Sequence, residues 1–147
     1  MIEYKKSSAT IIFNDRGELA LQLRAAHDDS FPSHWDFAAG GGIDEGEEEK
    51  QSAEREIREE LGVEAKVGFI VNKHYTYQAW KPGITREVDL WIYKTQHNGP
   101  FAPDLKEVGK VQFFGPEEIK KMMESGTKFH PEFVLAWNEG IVAKALE

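Results

Sequence analysis

The chain concentrates its negative charge in residues 41–63, GGIDEGEEEKQSAEREIREELGV, which hold nine acidic side chains and three basic ones. The full sequence of 147 residues contains 26 acidic and 18 basic residues. Outside the stretch the counts are 17 and 15, so the acidity is local and needs a local explanation. The nearly balanced remainder argues against broad attraction to nucleic acid polymers or to anionic membranes. A small anionic ligand would need a bridging cation.

Most of this acidic stretch has the pattern of a helix. From about Glu47 to Leu61 the spacing predicts a helix, which Gly62 is expected to end. Ala53, Ile57 and Leu61 recur every four residues and form a narrow apolar stripe. Such a stripe is expected to pack against a sheet.

Glu56, Glu59 and Glu60 follow at i, i+3 and i+4, so they share a face about a quarter-turn from the apolar stripe. Each like-charge pair at this spacing costs only about 0.2–0.5 kcal/mol, and a divalent cation would turn that cost into a gain. Carboxylate oxygens are ligands that magnesium and manganese prefer. The alternative is a solvated charged face, which is the common reason for a run of charge.

Glycines precede the helix. Residues 40–42 are all glycine and Gly46 follows. We expect them to form a turn with positive φ that lets backbone approach a ligand closely. A carbonyl of that turn could complete a metal shell, and the helix N-terminus behind it could meet phosphate.

The rest of the chain predicts strands and helices in alternation around a mixed sheet, with residues 1–147 as a single domain. Expected strands are SATIIFN, ELALQLR, HWDFAA, VEAKVGFIV, NKHYTYQAW, REVDLWIYKT and VGKVQFF; expected helices are PEEIKKMMESG and one long last helix, HPEFVLAWNEGIVAKAL. The chain has no cysteine, which excludes thiol nucleophiles, zinc–thiolate sites and disulfides and suits a cytoplasmic location. No apolar run is long enough for a signal peptide or a membrane span.

The acidic stretch resembles the Nudix box, G-x5-E-x7-R-E-U-x-E-E-x-G-U, where U is a bulky aliphatic residue. Its fixed positions are Gly41, Glu47, Arg55, Glu56, Ile57, Glu59, Glu60, Gly62 and Val63. The resemblance to the Nudix hydrolases implies an α/β/α sandwich with a mixed β-sheet. It also implies hydrolysis of a diphosphate linkage in a nucleoside diphosphate joined to another group X, with Mg²⁺ or Mn²⁺ as cofactor.

The resemblance assigns roles by position within and near the box. It implies that Glu59 and Glu60 are metal ligands, that Glu56 is a ligand or the general base, and that the carbonyl of Gly40 is a further ligand. Arg55 and Glu47 resemble orienting partners. In many family members the base lies outside the box, and Glu107, before VGKVQFF, resembles such a residue; an ordinary surface acid is the alternative.

Three weaker expectations concern substrate binding. Arg24 could reach a substrate phosphate, or it could be a surface arginine at a strand end. Tyr75, Tyr77 and Trp80 could form a base-stacking wall, although packing of a strand explains them more simply. The histidines show no ligand spacing and receive no role.

Two other functions remain as alternatives. LQLRAAHDDSFPSHWDF is similar to the isopentenyl diphosphate isomerase branch, but that chemistry uses a cysteine and this chain has none. A non-catalytic nucleotide-sensing Nudix domain is the second alternative, although such domains often lose box glutamates and none is lost here. Family members are often dimers, so the resemblance also allows a homodimer.

Overall fold

A computed structural model describes all residues, 1–147. The elements, in chain order, are β1 (Ile2–Phe13), β2 (Leu19–Arg24), β3 (Trp35–Asp36), β4 (Ala39–Gly42), α1 (Glu49–Leu61), β5 (Gly68–Gln78), β6 (Thr85–Gln96), β7 (Val108–Phe114), α2 (Pro116–Glu124), α3 (Pro131–Asn138) and α4 (Ile141–Ala145).

All seven strands belong to one sheet. Its main path runs β3-β2-β1-β6-β5, with β4 paired to β1 and β7 paired to β2. The long β1–β6 pair is parallel and the other pairs are antiparallel, so the sheet is mixed, as the sequence predicts. Strand β1 meets β2 only at Ile12 and Phe13 and then pairs with β4 from Ser7 to Thr10. The short strand β4 therefore lies where β2 has left β1.

Helices cover both faces of the sheet. On one face, the stripe of α1 packs with Ile12, Ala20 and Tyr93 in a buried cluster. On the other face, Ile119 of α2, Phe133 of α3 and their neighbours pack on Val88, Leu90 and Ile92 of β6. This arrangement confirms the expected α/β/α sandwich.

The apolar stripe of α1 is buried as predicted, with Ala53, Ile57 and Leu61 at most 1% exposed. The helix begins at Glu49, two residues later than expected, because Glu48 is its N-cap. Gly62 ends it in the left-handed conformation, with φ of 68°. The N–H of Gly62 donates to the carbonyl of Arg58, which satisfies one of the last carbonyls of the helix.

The expected glycine turn is wrong. Gly40, Gly41 and Gly42 form strand β4, and only Gly46 of the predicted group has a positive φ, 80°. Crowding explains the glycines instead, since a Cβ on Gly40 would lie 2.6 Å from the carbonyl oxygen of Ser8 in β1.

Three element boundaries also differ from the expectation. VEAKVGFIV and NKHYTYQAW form one strand, β5, preceded by a coil, and HWDFAA divides into β3 and the start of β4. The last helix breaks into α3 and α4 because Gly140 takes a φ of 78°, which no helix interior accepts.

None of the helices has the length and apolar character that a membrane-spanning helix requires. The single domain stays a prediction.

Two box-region glycines allow a matched test of crowding against backbone conformation. Both Gly46 and Gly62 have positive φ, but a Cβ on Gly46 meets open space while one on Gly62 would lie 2.6 Å from the carbonyl oxygen of Ala102. We expect Gly46→Ala to lower the free energy of unfolding by about 1–2 kcal/mol. Gly62→Ala should lose about 1–3 kcal/mol more. Urea unfolding measures both, and equal losses would contradict the crowding at Gly62.

Candidate active site

Arg55 organises the acidic edge of α1. Its guanidinium binds both carboxylate oxygens of Glu47, at 2.7 and 3.0 Å, and its Nη1 donates to Glu56 and to Glu59 at 3.0 Å each. Nη2 also donates to the carbonyl of Gly42 at 3.2 Å, which ties the helix to β4. The hydrogen bonds to Glu47 raise the pKa of Arg55, and the charges of Glu56 and Glu59 add to this. One cation thus holds three glutamates of the box.

Glu60 lies deeper than the other box glutamates. Its Oε1 accepts hydrogen bonds from Nε2 of Gln22 at 2.9 Å and from the backbone N–H of Gly40 at 3.1 Å. Its carboxyl lies beside that of Glu56, and both residues are only 8% exposed. Burial, and then the neighbouring Glu56, raise the pKa of Glu60 well above its usual range. The pair is a site of concentrated, poorly solvated negative charge.

Glycine at position 41 makes room for this pair. A Cβ there would lie 2.7 Å from Oε1 of Glu56. The strand β4 therefore approaches α1 closely enough for the Glu56 carboxylate to rest on bare backbone. Room for the Glu56 carboxylate, and not a turn, is therefore the structural reason for glycine at this position.

A polar cavity of about 690 Å³ opens beside Glu60. It is lined by 25 residues, of which seven are hydrophobic, and its wall includes Gly40, Gly41 and Glu107. A volume of this size suits a small-molecule ligand, and the polar wall favours a ligand that forms many hydrogen bonds.

Glu107 lies on this wall, immediately before β7, as the sequence predicts. Burial raises its pKa, and so do the nearby charges of Asp104, Glu56 and Glu59. The fold therefore brings Glu107 into the electrostatic field of the box although nearly fifty residues separate them. Its role as base or ligand stays a prediction.

Arg24 lines the same cavity, but its guanidinium is already engaged. Nε donates to the carbonyl of Ser30 at 3.0 Å, and the two terminal nitrogens pair with Asp28 and Asp36 at 3.2 Å. These contacts hold the loop between β2 and β3 against the sheet. Contact with a substrate phosphate stays a prediction for this residue.

The three aromatic residues proposed as a wall separate in the structure. Tyr75 is buried in the core and donates to Glu139. Tyr77 lines the cavity and donates to Glu132, whereas Trp80 is largely exposed and is not on the cavity wall. Of the three, only Tyr77 lines the cavity, while Trp80 packs against Phe31 of the cavity wall with ring centroids 5.3 Å apart.

Gln22 is a site residue that sequence reasoning missed. It is 8% exposed and its Nε2 donates both to Glu60 and to the carbonyl of Ala38. The signal was present, because a single amide interrupts the buried strand LALQLR, and a buried amide requires partners.

The box glutamates are not gathered around a common point as a set of metal ligands. No group of three or more histidine, aspartate or glutamate side chains is gathered as a metal-binding set. The contacts explain this, because Arg55 occupies an oxygen of Glu56 and one of Glu59 at the same time. The structure thus brings Glu56 and Glu60 together and leaves Glu59 exposed, bound to Arg55.

Comparison with known proteins identifies the family. The NUDIX domain model matches residues 3–136. The Nudix hydrolase lin0387 of Listeria innocua is 33% identical over 125 residues, which cover 84% of this chain and 70% of that protein. The chain therefore belongs to the Nudix family and is a hydrolase.

Solved structures agree with this fold. The crystal structure of DR0079 from Deinococcus radiodurans has a TM-score of 0.71 at 16% identity, covering 96% of this chain and 80% of that one. A MutT protein from Methanosarcina mazei Go1 has a TM-score of 0.69 at 21% identity, covering 81% and 82%. Family membership confirms the resemblance of the box and supports hydrolysis of a pyrophosphate linkage in general. It gives no support to the isomerase or to the non-catalytic sensor.

The raised pKa of Glu60 predicts how stability depends on pH. From pH 4.5 upward the unfolded chain releases this proton while the folded protein keeps it, so stability falls until the pH passes the folded pKa. In Glu60→Gln the amide oxygen can still accept from Gln22 and Gly40, and its NH₂ can donate to Glu56. We expect this variant to be more stable than the native chain at pH 7–8 in a chelator, with a flatter pH profile. Urea unfolding from pH 4 to 8 tests this, and parallel profiles would contradict it.

Proposed function

We propose that the chain hydrolyses the diphosphate linkage of a nucleoside diphosphate joined to a group X, by attack of water on phosphorus, with Mg²⁺ or Mn²⁺ as cofactor. The observation that carries this proposal is the buried pair Glu56 and Glu60 against the backbone of Gly40 and Gly41, at one wall of a polar cavity. The partner is a small molecule. The lack of cysteine suits a cytoplasmic location.

The residues present fit a divalent cation chemically. Glu56 and Glu60 supply hard oxygen donors, and burial together with the neighbouring Glu56 raises the pKa of Glu60, a penalty on the charged form that a cation would relieve. We assign Glu56, Glu59 and Glu60 as the metal-holding side chains, with the carbonyl of Gly40 beside them. A divalent cation at such a site neutralises diphosphate oxygens and lowers the pKa of water.

The remaining roles follow from the contacts. Arg55, bound to both oxygens of Glu47, orients Glu56 and Glu59 along the edge of α1. Gln22 fixes the rotamer of Glu60 by donating to Oε1, which leaves Oε2 directed away from that bond. Positioning of this kind is the main contribution that protein groups make to phosphoryl transfer.

Either Glu56 or Glu107 accepts the proton of the attacking water. Glu56 accepts a hydrogen bond from Arg55 at 3.0 Å, which orients its carboxylate beside Glu60. Glu107 lies on the cavity wall and its pKa is raised, which brings it toward the range in which a general base works well. The homodimer that the resemblance allows stays a prediction.

Metal dependence and Glu60 can be tested together. We expect phosphate-containing products from a panel of nucleoside diphosphate esters with Mg²⁺ or Mn²⁺ and none in EDTA, because the reaction needs a cation to lower the pKa of the attacking water. Glu60→Gln should lower kcat/KM by about two orders of magnitude or more, as loss of one preorganised electrostatic group does. Glu64→Gln, an exposed glutamate beyond the helix, is the control and should keep native activity. Native turnover by folded Glu60→Gln would count against the assignment.

The pH profile of Glu107→Gln distinguishes a base from a metal ligand. A base must be deprotonated, so native activity should fall as pH drops through its pKa. If Glu107 is the base, Glu107→Gln lowers kcat by about 10²–10⁴-fold and removes that acidic limb, with the Mg²⁺ requirement unchanged. If it is a ligand, the variant instead needs more Mg²⁺ and keeps the limb. Unchanged kinetics in both experiments would exclude a role.

A further inference from the structure

The polar cavity has another part, at the residues where α3 begins. We call it the α3 end; its wall is formed by Phe31, Tyr77, Arg86, His130 and Glu132. The backbone N–H of His130 donates to the carbonyl of Trp35 at 2.8 Å, and this bond ties the start of α3 to β3. The same cavity reaches the box glutamates, so one ligand can contact both ends.

His130 presents a hydrogen-bond donor at this end. It is the N-cap of α3, and its Nδ1 accepts the backbone N–H of Glu132 at 3.1 Å. Because Nδ1 accepts, the ring hydrogen is on Nε2. Nε2 has no partner within the protein, although the residue is only 6% exposed and lies on the cavity wall. The helix cap therefore fixes the direction of a free donor.

Glu132 presents an acceptor beside this donor. Its Oε2 accepts the hydroxyl of Tyr77, whose pKa is raised by burial and by Glu132, so the hydroxyl keeps its proton. Oε1 of Glu132 makes no hydrogen bond within the protein. Arg86 adds a positive charge to this end but no free donor, since its Nη2 binds Glu3 at 2.9 Å and its Nε is too deeply buried for a ligand to reach.

The free donor of His130 and the free acceptor of Glu132 determine which kinds of ligand could bind at this end. Each hydroxyl of a sugar donates one hydrogen bond and accepts others, so it can match both His130 and Glu132. A phosphate would be repelled by the Glu132 carboxylate, and the cation at this end, Arg86, is already paired with Glu3. An isoprenyl chain would leave the free polar groups unpaired, which costs free energy.

Stacking of a nucleobase is disfavoured by the geometry of Phe31. Its ring is surrounded by four others, at centroid distances of 4.8–6.3 Å, and the residue is 8% exposed, so no face is free. Its backbone has a φ of 47°, which is costly for a bulky side chain. This strained backbone places the Phe31 ring on the wall of the α3 end.

We propose that the α3 end binds the hydroxyls of a sugar ring of the substrate, through Glu132 and His130, while the diphosphate lies at the box. This inference rests on the proposed function. The sugar can be part of X or the ribose of the nucleoside, and the experiment separates these sources.

Three esters separate the sources: ADP-glucose, ADP carrying an n-propyl group in place of glucose, and the 2′-deoxy form of that propyl ester. A sugar bound in X gives a kcat/KM for ADP-glucose about tenfold to hundredfold above both propyl esters, the effect of one or two hydrogen bonds to a charged group. A bound ribose gives equal values for the first two and a similar loss for the deoxy ester. Equal values for all three overturn the proposal.

A matched pair of variants assigns the contact. Glu132→Gln removes the charge of the acceptor, and we expect it to lose about tenfold or more of the preference for the sugar-bearing ester. Glu139→Gln is the control, because Glu139 also accepts a hydroxyl from a tyrosine of β5 but is not on the cavity wall. His130→Asn keeps an oxygen that can cap α3 and removes the Nε2 donor, so it tests the same contact independently. An equal change in both glutamate variants would overturn the assignment.

Calorimetric binding in EDTA separates this inference from the proposed function, because it requires no turnover. We expect ADP-glucose or the ribose-bearing ester to bind the native chain about tenfold or more tightly than its matched partner lacking that hydroxyl set. If no ester is hydrolysed but this preference holds, the proposed reaction fails and the sugar site stands. If hydrolysis occurs and no preference is found in binding, the sugar site fails alone.

Discussion

Two carboxylates that share one buried site, Glu56 and Glu60, are the constraint on which the rest of the architecture depends. Burial of the Glu60 carboxyl and then the neighbouring Glu56 raise the pKa of Glu60 well above its usual range, so ionising both carboxyls in the folded chain is unfavourable. The protein limits the cost without removing it. Arg55 neutralises the outer side, while an amide of Gln22 and the N–H of Gly40 solvate the inner side. What remains is a buried acidic pair next to a cavity, in which a bound cation would favour the ionised form of Glu60.

The sheet is built to allow this arrangement. Because β2 leaves β1 after only two paired residues, β4 can pair with β1 and bring its glycines beneath α1. At Gly40 the crowding comes from the carbonyl of Ser8, and at Gly41 from the carboxylate of Glu56. A side chain at Gly40 would push β4 away from β1, and one at Gly41 would displace the Glu56 carboxylate of α1. The glycines thus set the distance between backbone and carboxylates, where a flexible turn would have left it undefined.

Sequence reasoning could predict the features that depend on local periodicity and spacing. The apolar stripe of α1, its Gly62 end and the shared face of the box glutamates all follow from residues within one helix. It could not predict that Arg55 bridges Glu56 and Glu59, because i, i+4 spacing gives proximity and not rotamers. It also misjudged Gly40–Gly42, since glycine permits positive φ and close approach alike, and only the neighbouring strand decides between them. Gln22 needed the same tertiary information.

The residues that form the two ends of the cavity are distributed differently along the sequence. This explains why the box does not indicate the identity of X. The box glutamates of the acidic end all lie within the 23 contiguous residues 41–63. The α3 end is assembled from positions 31, 77, 86 and 130–132, which belong to a loop, two strands and a helix on the opposite face of the sheet from α1. Because no hydrogen bond at the α3 end shares a partner with the box glutamates, we expect the two ends to contribute nearly independently to free energy. If the proposed sugar site holds, substitutions around Glu132 should change which group is accepted while the buried carboxylate pair stays intact.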